Sequence, residues 1–141
     1  MTPDQVTLVQ QSFAKVAPIS EQAAKIFYDR LFEVAPQVRA MFPNDMTEQR
    51  KKLMATLAIV VNGLSNLESV LPAASALAKR HVTYGAKPAH YPVVGGALLW
   101  TLEKGLGEAW TPEVAAAWTA AYGTLSGYMI SEAYGSAQAA E

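Results

Sequence analysis

Apolar residues recur every three or four positions along nearly the whole chain and nowhere alternate strictly with polar ones, so the pattern predicts an all-α protein. The helices fall at roughly residues 3–17, 20–35, 36–42, 46–64, 72–82, 89–107 and 111–134. Several starts carry capping chemistry. Thr2 precedes Pro3 and Asp4, and Thr111 precedes Pro112 and Glu113. Asp45 and Glu48 have the D-x-x-E spacing of a capping box. In each case a side-chain oxygen can accept from an N–H of the first turn, which has no partner within the helix.

Side chains three or four residues apart share one helical face, so each buried stripe can be followed along the chain. The first helix presents Val6, Val9, Phe13 and Val16, and the second Ala24, Phe27 and Leu31 with Tyr28 among them. After Asp45 the stripe runs Leu53, Leu57, Val60 or Val61, and Leu64; one turn back from Leu53 it meets Gln49. The helix from Pro72 gives Ala74, Leu77, Ala78 and then His81 near its end. The next gives Tyr91, Val94, Leu98, Leu102 and Leu106, with His90 about 100° off the stripe. The last gives Trp118, Tyr122, Leu125, Met129 and then Glu132. Tyr28, Gln49, His81, Tyr91 and Glu132 are therefore polar residues on apolar faces. A buried polar group without a partner costs roughly 1–3 kcal/mol, so these five are expected to pair with one another or to face something bound.

Composition narrows what that could be. At 141 residues the chain suits one domain with a sizeable core, read as residues 1–136 with 137–141 as a short flexible tail. Eleven Lys and Arg against twelve Asp and Glu give a formal net charge of −1, with both signs dispersed, which argues against nucleic acid as a partner. The N-terminus has no basic stretch leading into an apolar one, and the longest apolar run, residues 57–61, is too short for a bilayer. The expectation is a soluble cytoplasmic protein, monomeric or homodimeric, without membrane insertion. With no cysteine, disulfides, Fe–S clusters and thiolate zinc sites are excluded.

His81 and His90 are the two histidines. Their spacing across a loop, with no third ligand in register, makes a poor zinc site. No G-x-S-x-G elbow is present, and the Gly95-Gly96 pair lies within a helical pattern without a phosphate-binding Lys. Two readings of His81 stay open on the pattern alone: a histidine complementing the negative end of its helix dipole, or a ligand. A cofactor needing one histidine, an apolar slot and a few polar groups opposite matches haem.

The ordered motifs "KRHVTYGAKPAHYPVVGGALL", "FYDRLFEVAPQVRAMF", "QRKKL" and "AWTAAYG" give the chain a resemblance to a known family over essentially its whole length. It resembles the bacterial single-domain globins, close to Vitreoscilla-type haemoglobins and the globin portion of flavohaemoglobins. The resemblance implies a three-over-three helical sandwich around a haem b pocket, with His81 as the proximal iron ligand. It places Tyr28 and Gln49 as distal donors, Leu53 over the iron, and Phe42, Leu57, Leu77, Val94 and Leu98 in the pocket walls. Tyr91 matches a residue that supports the proximal histidine. The family's supporting glutamate falls on Ala133 in an ungapped register, whereas the helical period favours Glu132, and Glu132 is taken for the role.

What the resemblance implies for function is reversible binding of dioxygen and other small diatomic gases, for storage, scavenging or delivery. The alternatives are nitric oxide dioxygenase activity fed by a separate reductase, and a stress protein or sensor binding nitric oxide or sulfide. The reductase is expected to be separate because the chain stops soon after its last helix.

Overall fold

Thr2 and Gln5 start the first helix by exchanging bonds. The Thr2 hydroxyl accepts from the Gln5 N–H at 3.1 Å, and the Gln5 side-chain oxygen accepts from the Thr2 N–H at 3.0 Å. Pro3 occupies the first turn, where its missing N–H costs nothing, and α1 runs Pro3–Val16. The computed structural model describes residues 2–42, 44–83 and 90–139. A 3₁₀ turn over Ala17–Ile19 leads into α2, Ser20–Val34. Ala35, forced out of helical geometry by the following proline, ends α2 at φ −142° and ψ 69°.

A 3₁₀ segment, Pro36–Met41, then delivers Phe42 in extended geometry. The helix α3, Thr47–Asn62, begins one residue later than the sequence suggested. Asp45 does not cap it as a box; its carboxylate accepts from the Thr47 N–H at 3.0 Å, bridging two residues as in an Asx turn. That bond, above all, holds the Asp45 carboxyl below the usual carboxylate range.

The 3₁₀ turn Gly63–Asn66 feeds directly into α4, Leu67–Thr83. The expected start at Pro72 is thus corrected: five further residues precede it and Pro72 lies inside the helix. Proline there removes one helical bond, the one to the carbonyl of Glu68, and Glu68 is exposed, so water can serve that carbonyl. Residues 84–89, read as the loop before the next helix, lie outside the described residues. The helix α5 spans His90–Leu106 and stops at Gly107, whose φ of 55° suits only a residue without Cβ strain. Thr111 caps α6, Pro112–Ala139, by accepting from the Val114 N–H at 3.2 Å. α6 thereby extends five residues past its expected end.

The described residues contain no strand. Helices α1, α3 and α4 lie over α2, α5 and α6 as three helices on three: α1 and α4 pack across α6, and α3 across α2. The predicted stripes are the packed faces, with Val9 at 0 %, Ala24 at 0 % and Leu31 at 2 % exposure. Inside the α1–α6 crossing, Trp118 Nε1 donates to Ser12 Oγ at 2.8 Å, and Ser12 passes its own proton to the Leu8 carbonyl. A buried indole N–H is thereby satisfied within the core.

Candidate functional site

Tyr28 projects from the buried face of α2 with 5 % exposure, and aromatic rings surround it. Phe27 and Phe42 meet it edge-on at centroid distances of 4.9 and 5.5 Å, and Phe32 lies tilted at 5.9 Å. Phe32 is a residue the sequence reading missed; its i, i+4 spacing from Tyr28 on α2 was the available signal. Arg39 holds the turn that seats Phe42, donating to the carbonyls of Phe42 and Asn44, both at 3.3 Å. With ring edges rather than water around it, the Tyr28 phenol has its pKa raised by burial, partly offset by a hydrogen bond from Gln49.

That bond joins two helices. Gln49, in the first turn of α3, donates through Nε2 to Tyr28 Oη at 3.1 Å. The two polar intruders noted on separate stripes therefore meet. Since Tyr28 accepts from Gln49, its own O–H proton is directed elsewhere, and no described residue receives it. Leu53 and Leu57 continue the face of α3 below Gln49, and both are only half-buried. Phe42 and Val94 are half-buried too, whereas Leu98 is buried at 7 %.

His81 lies near the end of α4, half-buried, with Nδ1 2.7 Å from the Leu77 carbonyl one turn earlier. A carbonyl can only accept, so Nδ1 carries a proton, and Nε2 is the ring atom a metal would use. Tyr91, on α5 and 7 % exposed, sets its ring 6.5 Å from the imidazole at an interplanar angle of 35°. The Tyr91 carbonyl in turn accepts from the Tyr122 hydroxyl. Tyr122 was read only as a stripe residue; burial raises its pKa strongly. Its ring fits because position 95 is glycine: a Cβ there would come within 2.6 Å of Tyr122 Cε2. His90 starts α5 half-buried.

Glu132 is not brought to His81. It is exposed, and its Oε1 accepts from Ser75 Oγ at 2.9 Å and from Tyr128 Oη at 3.1 Å. The helical period gave the right face of α6 but not the turn of α4 that it meets. Ser75 precedes His81 by six residues, about 9 Å along the helix, beyond the reach of one carboxylate.

Buried apolar residues of a domain this size usually form one contiguous core with small satellites. Among the described residues there is one large cluster and a smaller satellite beside it. One cluster holds Phe27, Tyr28, Leu31 and Leu98, with Phe42, Leu53, Leu57 and Val94 packed on it. The other holds Ala74, Ala78, Tyr91 and Met129, with Leu77 on it. The candidate residues split along the same line: Tyr28 and the α3 face on one side, Leu77 and Tyr91, beside His81, on the other. A flat apolar group held by one imidazole suits that arrangement. The described residues contain no group of three or more His, Cys, Asp or Glu able to hold a bare metal ion.

The globin family model matches residues 25–129. A flavohemoprotein of Rhodopirellula baltica is 34% identical over 128 residues, covering 89% of this chain and 31% of that protein. A flavohemoprotein of Bacillus subtilis is 34% identical over 110 residues, covering 74% of this chain and 27% of that protein. The chain thus spans about a third of the length of these curated relatives. Among solved structures, a bacterial globin from Campylobacter jejuni superposes with a TM-score of 0.83 at 26% identity, covering 94% of this chain and 96% of that one.

Proposed function

The chain belongs to the globin family, and we propose that it holds haem b through His81 and binds dioxygen or a similar diatomic gas on the side of Tyr28 and Gln49. The Gln49–Tyr28 pair over the large cluster, with His81 and its contact to the Leu77 carbonyl beside the small one, carries this reading. When bound, haem supplies an iron centre with one position for the imidazole and one for the gas.

The protein's own groups then have distinct tasks. Leu77 fixes the orientation and tautomer of His81 through its carbonyl, and Tyr91 supports the ring from α5. Phe42, Leu53, Leu57, Val94 and Leu98 exclude water. Tyr28 is protonated at neutral pH, and burial raises its pKa further, so its O–H remains a donor, and Gln49 orients it. A gas molecule that gathers negative charge on its outer oxygen would receive that proton as a charge-assisted hydrogen bond. Such a bond is worth roughly 1.5–3 kcal/mol, slowing release by roughly 10- to 100-fold.

The test is haem uptake followed by absorption spectra of the ferric, ferrous and oxygenated forms. In His81→Gly the spectrum of histidine-ligated haem should vanish and return with added imidazole. An unchanged spectrum without imidazole would refute the assignment of His81.

The relatives' name couples flavin with haem, which favours one second reading: nitric oxide dioxygenase turnover driven by a separate flavin reductase. Stoichiometric reaction with nitric oxide does not separate the two readings; sustained nitrate production with a reductase from the same cell would favour the enzyme.

A further inference from the structure

The helix α3 has a second face turned away from Tyr28. Arg50, Met54 and Ala58 each follow by one residue the set Gln49, Leu53 and Leu57, and so stand about 100° further round the helix. They face a cavity of about 480 Å³ closed on its other side by the ends of α1 and α2, with Phe13 in its wall. Arg50 is half-buried; its charge is felt by the Asp45 carboxylate, though the two are not in ion-pair contact. Lys51 adds a second positive charge at the rim, itself 3.8 Å from Glu48, and Glu21 is the one acid among the lining residues. The walls otherwise offer an aromatic ring, a thioether, alanines and the hydroxyl residues Ser20 and Thr47.

We propose that this cavity is a second ligand site, taking a small aromatic carboxylate whose anionic end meets Arg50 and whose ring lies between Phe13 and Met54. The planar guanidinium matches a carboxylate in two parallel hydrogen bonds. Phe13 and Met54 both favour an aromatic partner over a polymethylene chain, through edge-to-face and sulfur–ring contacts. The volume lies within the range of small-molecule sites and exceeds one ring with a carboxylate, so a bicyclic acid fits.

The probe is 2-naphthoate, titrated calorimetrically into the protein as purified, with carbon monoxide added to fill the Tyr28 side; amide chemical shifts locate the site. Saturable one-to-one binding is expected, with shifts at Met54, Ala55 and Ala58. Arg50→Ala should weaken it by roughly 10- to 100-fold. The uncharged 2-naphthamide should bind wild type about as poorly as 2-naphthoate binds the variant. Ala58→Leu, which fills the cavity, should also weaken binding; if it fails to fold, the Arg50→Ala and amide arms decide. Equal affinity in Arg50→Ala, shifts confined to Leu53, Leu57 and Leu98, or no saturation at millimolar probe would overturn the site. The Soret band of the same sample reports on haem separately.

Discussion

Gly95 and Gly96 are neighbours in α5, and the same substitution should have opposite effects at the two. Alanine is about 0.8–1.0 kcal/mol better than glycine inside a helix. At position 96, which is exposed, a new Cβ meets nothing within 4 Å, so Gly96→Ala should gain about that amount. At position 95 the Cβ would approach Tyr122 Cε2 at 2.6 Å, Cδ2 at 2.9 Å and Cζ at 3.2 Å. These are atoms of a rigid ring whose hydroxyl is tied to the Tyr91 carbonyl, so the ring cannot yield without loosening that bond. Overpacking costs about 1–3 kcal/mol and the hydrogen bond about 0.5–1.5 kcal/mol. Set against the helix gain, Gly95→Ala should lose about 1–3 kcal/mol. At about 3 °C per kcal/mol for a domain of this size, Tm should fall by about 3–10 °C in Gly95→Ala and rise by about 3 °C in Gly96→Ala. Reversible thermal unfolding by circular dichroism would show the split. Equal rises in Tm for both variants would mean that the Tyr122 ring is not pinned, and the account of how Tyr91 is held beside His81 would fall with it.

Other outcomes follow from the same structure. Tyr28→Phe should speed oxygen release by roughly 10- to 100-fold in stopped-flow measurements. Gln49→Ala should do so less, since Gln49 orients Tyr28; if neither accelerates release, the donor assignment is wrong. Glu132→Ala should leave the iron–histidine stretching band in resonance Raman spectra unmoved, because the carboxylate engages Ser75 and Tyr128. A shifted band would place it in the proximal network after all. Burial raises the pKa of Tyr28 and Tyr122 above the ordinary 10.0. The protonated forms are therefore favoured in the folded state, and their stabilisation is complete below pH 10. It should be lost as pH rises beyond that, at up to about 1.4 kcal/mol per pH unit for each group. Urea midpoints from pH 9 to 11 should flatten in Tyr122→Phe.

Much of this was legible in the chain. Stripes report which face a helix buries, and Val9, Phe13 and Val16 or Phe27 and Leu31 are where the period puts them. Tyr28 and Gln49 could be singled out because each interrupts an apolar stripe, and packing α3 across α2 brings them together. What the pattern could not give is the depth at which two helices cross, hence the misplacement of Glu132. Nor could local propensity show that Pro72 sits inside α4. Proline favours a first turn, yet with Glu68 exposed, water can serve the carbonyl that Pro72 leaves unbonded, and the helix continues through it. The bond from Tyr122 to Tyr91 joins residues 31 apart in sequence and has no local signature.

Only one residue of α3, Val61 in its last turn, is fully buried. Gln49 lies twelve residues earlier, at the other end, which makes the helix a lever about 18 Å long with its fulcrum at Val61. A tilt of about 3° there carries Gln49 through about 1 Å. That is enough to break its 3.1 Å contact with Tyr28, while Leu53 and Leu57, nearer the fulcrum and packed on the core, move less.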